Sequence, residues 1–389
     1  MCVQNDWLLE AGVSAWPGKT VIGLTGNIAT GKSVVRRMLE HLGAYGIDAD
    51  ALAKRAIAKG APGYQPVLDI FGTWILGADG QIDRLKLARL VFSDAEALKR
   101  LEAVVHPLVG QAVDLLVRRA RQKVIVLEAI KLLESELRSM CDTIWVTSAS
   151  QELQFKRLTA KRAMSAAAAR QRIAAQAPQE EKIRLAQVLI RNDGSFEDTW
   201  QQVVAAWERI FPSAAVEPAV AHKVAVGKLV VQRAGPRQAD EIALFITRLS
   251  RGALEVRRAD VMEAFGDKAY LLLKRDGRLV GLAGWQVENL VARMDDVYLE
   301  PDLAFDEAMH ALTQEVEEAS RELQCEVALL FMPANIARLE RILNRLGYQQ
   351  RSLESLKVHA WQEAASESMP IGTVMYFKQL RKDRVLRPV

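Results

Sequence analysis

The sequence predicts two folds in tandem: α/β with a parallel sheet in the first half of the chain, then α+β in the second. Three observations carry that expectation. From about Lys19 to Phe211, short apolar runs alternate with helix-compatible stretches, the grammar of a parallel sheet covered by helices. Two prolines among small residues in Phe211-Pro212-Ser213-Ala214-Ala215-Val216-Glu217-Pro218-Ala219-Val220 have the composition of a linker. From Lys228 the order changes to strand, helix, hairpin, and again helix and strand. The expected divisions are an N-terminal extension (1–19), the α/β domain (20–211), the linker (212–227) and the α+β domain (228–389).

Bulk properties agree with two globular domains. A chain of 389 residues exceeds what one ordinary core organises. Hydrophobic residues make up 50% and charged residues 26%, as in soluble globular proteins. A net charge of +4 is too small at this length to imply nucleic acid, and no apolar run reaches membrane-spanning length. Met1 to Lys19 carries Asp6 and Glu10 and does not read as a signal peptide. Cys2, Cys141 and Cys325 are widely spaced, which argues against a zinc ribbon or a disulfide framework. A cytoplasmic protein is expected.

In chain order, Val21–Thr25 is the first strand and Val34–Glu40 the start of the first helix, with apolar residues at helical spacing. Val124–Leu127 and Thr143–Thr147 are further strands, each followed by helix-compatible sequence. Ser165–Ala175 is rich in alanine, and with its arginines and leading serine it reads as a helix. In the second half, Lys228–Arg233 is a strand and Arg237–Ser250 an amphipathic helix. Tyr270–Lys274 and Arg278–Trp285 form a hairpin around Arg275-Asp276-Gly277. A strand at Asp295–Leu299, a long helix at Phe305–Leu323, a strand at Val327–Phe331 and a helix at Ile336–Leu346 complete the order.

The chemistry starts at Gly26-Asn27-Ile28-Ala29-Thr30-Gly31-Lys32-Ser33, a complete G-x-x-x-x-G-K-[ST] run between a strand and a helix. A polyphosphate needs several backbone N–H donors converging on it, and Gly26 and Gly31 leave room for that approach. The following helix turns its unpaired N–H groups and positive dipole end toward the anion. Lys32 adds a charge for the β- and γ-phosphates, and the Ser33 hydroxyl is a ligand for Mg²⁺. Kinase chemistry also needs a carboxylate to accept or orient the proton of the attacking hydroxyl. In Gly46-Ile47-Asp48-Ala49-Asp50, Asp50 is the candidate, and Asp48 suits a helix cap or a supporting role. An aspartate capping a helix that starts near Ala51 explains the same residues.

VIGLTGNIATGKS, GIDADALAKRAIAKGAPGYQPVLDIFG, LEAVVHPLV and QFKRLTAKRAMSAAAARQRIAAQAPQEEKIRLAQVLIRNDGS together resemble dephospho-CoA kinase, the last enzyme of coenzyme A synthesis. The likeness runs from about Val21 to Trp207. It implies a P-loop NTPase sheet with a helical substrate insertion and a lid. It also implies ATP and Mg²⁺ as cofactors, dephospho-CoA as substrate, and transfer of the γ-phosphate to the ribose 3′-hydroxyl. Carried over, the loop residues Ala29, Thr30, Gly31, Lys32, Ser33 and Val34 hold ATP, and Asp50 matches the family's base. His106, before Pro107, falls in the insertion and is assigned to the substrate side, although a lone histidine also suits a structural role. Arg157 and Arg162 are clamps for the transferring phosphoryl group, set against a solvated basic face with Lys156 and Lys161. Gln176 and Lys182 close the lid motif. Asn192, before Asp193-Gly194, is expected to read adenine.

Some positions depart from the family. Glu128-Ala129-Ile130-Lys131-Leu132-Leu133-Glu134 stands where Asp-x-Pro-Leu-Leu is usual, so the expected metal-site carboxylate is Glu128. Lys131 is open to contact with a substrate phosphate or to solvent. Val34 lacks the usual hydroxyl, and Gln187 and Arg191 stand where aspartates are common. Lys32, Ser33 and Asp50 remain, so an active kinase is expected.

The second half resembles a GNAT-like acetyltransferase fold in its element order and in the segment from Pro333 to Gly347-Tyr348. The stretch Glu300-Pro301-Asp302-Leu303-Ala304-Phe305-Asp306-Glu307-Ala308 falls where that family cradles the acetyl-CoA pyrophosphate. It has no glycine to admit a close backbone approach, and Glu300, Asp302, Asp306 and Glu307 would repel a diphosphate. The unit is therefore expected not to acetylate. The tail, with Arg381, Lys382, Arg384 and Arg387, reads as a solvated basic end. Three other readings remain: a different P-loop small-molecule kinase, a bifunctional or regulatory protein whose second half binds CoA or acyl-CoA, and a nucleotide-binding scaffold without turnover.

Overall fold

The computed structural model describes residues 15–161, 164–211, 225–226, 229–251, 253–333 and 337–386. Arg162, Arg387, Asn335 and most of the expected linker lie outside them. In chain order the α/β half contains β1 (Thr20–Thr25), α1 (Lys32–His41), β2 (Tyr45–Asp48), α2 (Ala49–Ala56), α3 (Tyr64–Phe71), α4 (Arg84–Ser93) and α5 (Ala95–Arg119). It continues with β3 (Val124–Glu128), β4 (Thr143–Ser148), α6 (Gln151–Lys161), α7 (Ala166–Ala174), α8 (Gln179–Arg184), β5 (Val188–Arg191) and α9 (Phe196–Ile210).

The chain forms two compact units, and they cut across the half-way linker. One joins the residues up to Asp48 with those from Arg121 through α9; the other joins Ala49–Ala120 with the C-terminal half. The first unit holds a five-stranded sheet in the order β2-β3-β1-β4-β5, and every pair is parallel. Parallel strands are covered on both faces, so they read as nearly unbroken apolar runs; in β3 all of Val124–Glu128 is buried. Ile22, Leu24, Val126 and Trp145 of the sheet pack with Val35, Met38 and Leu39 of α1 and Val203 and Trp207 of α9. Helix ends follow local chemistry. Ser195 and Asp198 form a reciprocal capping box at the start of α9, and the Ser165 hydroxyl accepts from the Ala168 N–H at the start of α7, each satisfying end donors.

The second unit contains β6 (Ala225–Val226), β7 (Leu229–Arg233), α10 (Ala239–Leu249), α11 (Arg258–Ala264), β8 (Ala269–Arg275), β9 (Arg278–Glu288) and β10 (Val291–Leu299). After these come α12 (Phe305–Glu322), β11 (Val327–Pro333), α13 (Ala337–Arg345), β12 (Gln349–Arg351), α14 (His359–Ser368) and β13 (Thr373–Gln379). Its eight-stranded sheet runs β12-β13-β11-β10-β9-β8-β7-β6. Among the described residues of this sheet, only β10 and β11 pair in parallel; the other neighbours are antiparallel. The expected hairpin turn is present: Asp276 and Gly277 both have positive φ, as a two-residue turn of matching twist requires. β10 begins four residues before the expected Asp295 and carries a register shift between Asp295 and Tyr298. α12 packs Ala308, Met309, Leu312 and Val316 on the sheet residues Leu271, Leu273, Ala283 and Leu330.

The acidic stretch after β10 differs electrostatically from expectation. Glu300 accepts from Arg248 at 2.6 Å and lies 3.5 Å from Arg278. Asp302 accepts from Arg275, and Asp306 from Arg345, each at 3.0 Å. Three of the four acids thus sit in ion pairs with arginines of the chain.

Candidate active site

The phosphate loop links β1 to α1 in the first unit. Gly26 has φ 151° and Gly31 φ 95°, and Ala29 between them sits at φ 59°. A β-carbon on Gly26 would come within 2.4 Å of the Thr147 carbonyl oxygen, and one on Gly31 within 1.9 Å of Asn192 Nδ2. Both glycines are therefore required by positive φ and by packing. The loop is pinned from within. Thr30 Oγ1 donates to the Asn27 carbonyl at 2.8 Å and lies 2.8 Å from Thr147 Oγ1, while the buried Lys32 ammonium donates to the same carbonyl at 3.3 Å.

Residues of α6 to α9 hold the loop from outside. The Ile28 N–H donates to Gln176 Oε1 at 2.6 Å, and Asn27 Nδ2 donates to the Ala177 carbonyl at 3.0 Å. Lys182 is buried and donates to the Ile130 carbonyl at 2.7 Å, at the turn after β3. These are the lid-motif residues of the sequence, and here they grip loop and turn.

Glu128, at the end of β3, is the electrostatic centre. Backbone register sets it level with Leu24 of β1 and Asp48 of β2. Ser33 Oγ donates to Glu128 Oε1 at 3.0 Å, and Arg36 Nε donates to Oε2 at 2.8 Å. Ser33 and Arg36 are three apart, so they share a helix face and reach the two oxygens of one carboxylate. Burial alone would lower the Arg36 pKa, but Glu40, Glu128 and Asp48 outweigh it and hold the guanidinium above its ordinary value. A hydroxyl and a carboxylate oxygen side by side are hard donors of the kind Mg²⁺ takes along with water and phosphate oxygens; Ser33 and Glu128 thus fit a magnesium ion. Arg36 is the residue that sequence reasoning missed. Its signal is the three-residue spacing from Ser33, which puts both on one helix face.

Two further expected site residues contact the loop. Asn192, expected at the adenine, is buried, and both ends of its amide are engaged within the chain. Nδ2 donates to the Thr30 carbonyl at 2.9 Å, and Oδ1 accepts from Thr199 Oγ1 at 3.1 Å. It therefore holds the phosphate loop. Arg157 was expected to clamp the transferring phosphoryl group. Its NH1 donates to the Ala29 carbonyl at 3.1 Å and its NH2 to the Asn192 carbonyl at 2.9 Å. Burial lowers its pKa despite Asp193 nearby, yet a guanidinium remains charged. Arg157 thus carries a positive charge at the loop while bracing its backbone. Arg162 lies outside the described residues. Val34 is half-buried in α1, and Lys131 is exposed in the turn after β3.

In the second unit, Asp50 lies in the first turn of α2, which starts at Ala49. Asp50 therefore stands inside the helix, one residue after its start. His106 is exposed on α5, next to the helix-internal Pro107.

A family model described as dephospho-CoA kinase matches residues 20–198. The dephospho-CoA kinase of Geobacter sulfurreducens is 41% identical over 195 residues, covering 49% of this chain and 99% of that protein. A solved dephospho-CoA kinase from Campylobacter jejuni is 27% identical, with 49% of this chain and 97% of that one covered and a TM-score of 0.37. For the remainder, a GNAT-family acetyltransferase structure from Staphylococcus aureus is 11% identical, covering 39% of this chain and 99% of that one at a TM-score of 0.32.

Proposed function

Because this chain belongs to the dephospho-CoA kinase family, we propose that it phosphorylates the ribose 3′-hydroxyl of dephospho-CoA with ATP, giving coenzyme A and ADP. The observation that carries the reading is the cluster at the end of β3. There, a phosphate loop, its lysine and a Ser33–Glu128 oxygen pair 3.0 Å apart meet at the carboxyl ends of parallel strands, where α/β sheets take ligands. The loop amides from Ala29 to Val34 and the Lys32 ammonium hold the β- and γ-phosphates. Ser33 and Glu128 would hold Mg²⁺, which would neutralise charge on the phosphate oxygens. Asp50 takes the proton of the 3′-hydroxyl as its oxygen bonds to the γ-phosphorus and the bond to the β-phosphate oxygen breaks. Arg157 and Arg162 are assigned to the equatorial oxygens of the moving phosphoryl group, and Asn192 to the adenine side. His106 and Lys131 are assigned to the substrate side, Lys131 to a substrate phosphate.

Among the described residues no helix is long and apolar enough to cross a membrane; the cytoplasm is our placement for the reaction. The second half is assigned as a unit that does not acetylate. Pairing of Glu300, Asp302 and Asp306 with arginines supports packing over capture of CoA or acyl-CoA there.

The test is an acceptor panel with the purified full chain, ATP and Mg²⁺. Phosphate transfer to dephospho-CoA, and not to nucleoside monophosphates, is expected. Transfer to a nucleoside monophosphate alone would make the chain a different P-loop kinase, and no transfer at all would make it a scaffold.

A further inference from the structure

Residues of the substrate insertion and the C-terminal half belong to one compact unit, and a buried ion pair joins them. Arg55, in the last turn of α2, donates through NH2 to Glu326 Oε1 at 2.6 Å, with side chains 6% and 1% exposed. Its NH1 donates to the Asn289 carbonyl oxygen. Glu326 Oε2 accepts from the indole N–H of Trp361 at 2.9 Å, and Arg384 Nε lies 3.8 Å away. The Glu326 backbone is fixed as well. Its N–H donates to the Leu290 carbonyl at 2.7 Å, and its carbonyl accepts from the Leu380 N–H at 2.9 Å. The Asn289–Leu290 turn that meets Arg55 puts both residues at positive φ, 51° and 62°. Leucine rarely adopts that region, and strained backbone persists where its surroundings over-determine it.

The charge pattern repeats around this centre. Arg84 makes two hydrogen bonds to Glu363, at 2.7 and 3.2 Å, and Arg119 one to Asp383 at 2.9 Å. In all three pairs the insertion supplies the arginine and the C-terminal half the carboxylate. Exposed pairs contribute little. The buried one differs: two ions taken from water persist only with tight geometry and satisfied partners, and such a pair fixes one register of packing.

We propose that Glu326 is a positioning residue for the phosphoryl transfer. Through Arg55 it fixes the axial position and rotation of α2, and thereby aims Asp50, five residues earlier on the same two-turn helix. The C-terminal half would then serve the kinase as a rigid anchor for its base-bearing helix. The inference rests on the reading of Asp50 as the base.

The experiment uses the full chain with Arg55→Met and Glu326→Gln combined, which removes both buried charges together and leaves an amide oxygen for Trp361. We expect a folded protein whose kcat with dephospho-CoA falls by about tenfold or more, since small misplacements of a reacting group are costly, while KM for ATP stays within about twofold. A folded double variant with wild-type kcat, or one whose only change is a raised KM for ATP, would overturn the proposal. Should the double variant not fold, Arg55→Lys decides: it keeps the charge but loses the two-pronged grip. A lowered kcat at unchanged KM for ATP supports the proposal, and an unchanged kcat refutes it. Wild-type and Asp50→Asn chains run alongside separate the two ideas. A wild type inert toward dephospho-CoA, or an Asp50→Asn chain as fast as wild type, removes the underlying reading. With an active wild type and a dead Asp50→Asn chain, the Arg55 and Glu326 variants alone decide whether Glu326 positions the base.

Discussion

Gly31 shows how narrowly single positions are constrained. It stands at φ 95°, and the Asn192 amide occupies the space where a β-carbon would go. Gly31→Ala therefore meets both a left-handed backbone, worth about 1–2 kcal/mol, and a clash with the side chain that holds Thr30. The expected result is a rise of about tenfold or more in KM for ATP, read from initial rates; an unchanged KM would show that the loop tolerates displacement of Asn192. Glu128 offers a second test. Glu128→Gln leaves Arg36 in a buried site with Glu40 as its remaining salt-bridge partner. Breaking a buried pair costs about 3–5 kcal/mol, and the expected loss falls at the low end because Glu40 stays. Urea unfolding of the variant measures it. The Asn192–Thr30 contact joins residues 162 positions apart and leaves no pattern in the sequence.

Elements were legible where burial is two-sided or a turn is chemically explicit. The central strands β1, β3 and β4 are apolar runs, and Asp276-Gly277 announces its hairpin. β12 and β13 were not foreseen. β12 is a short polar edge strand, Gln349–Arg351. β13 comes last in sequence yet inserts between β12 and β11, a choice made by long-range pairing. In the junction between β10 and α12 the acids are explicit in the sequence and their arginine partners are not, because Arg248, Arg275 and Arg345 come from distant positions. The junction supports a prediction at this scale. The full chain, incubated with radiolabelled acetyl-CoA and a panel of primary amines, should transfer no label; transfer above background would contradict the non-acetylating assignment.

For the whole molecule, pH dependence follows from buried and half-buried groups in both units. Burial raises the Cys141 thiol to about 12, and burial likewise raises the Tyr270 phenol to about 12. Burial opposes the Lys268 charge, but Asp295 and Asp296 outweigh it and hold its pKa above the ordinary value. All three keep their protons longer in the folded chain than in the unfolded one. Above about pH 8.5–10, where unfolded thiols, phenols and amines begin to deprotonate, the unfolded state binds fewer protons and stability falls as pH rises. Thermal unfolding should give a lower Tm at pH 10.5 than at pH 8, whereas an equal or higher Tm would show that these sites are open to solvent.

The central claim is that a loop-bound ATP is attacked by a ribose hydroxyl whose proton goes to Asp50. The most direct measurement is single-turnover 3′-phosphorylation of dephospho-CoA by the wild-type and Asp50→Asn chains, with ATP affinity determined in parallel. The account predicts a rate lowered by about 10²–10⁴-fold, the usual contribution of a general base, at unchanged ATP affinity. An Asp50→Asn chain that turns over at the wild-type rate would contradict it.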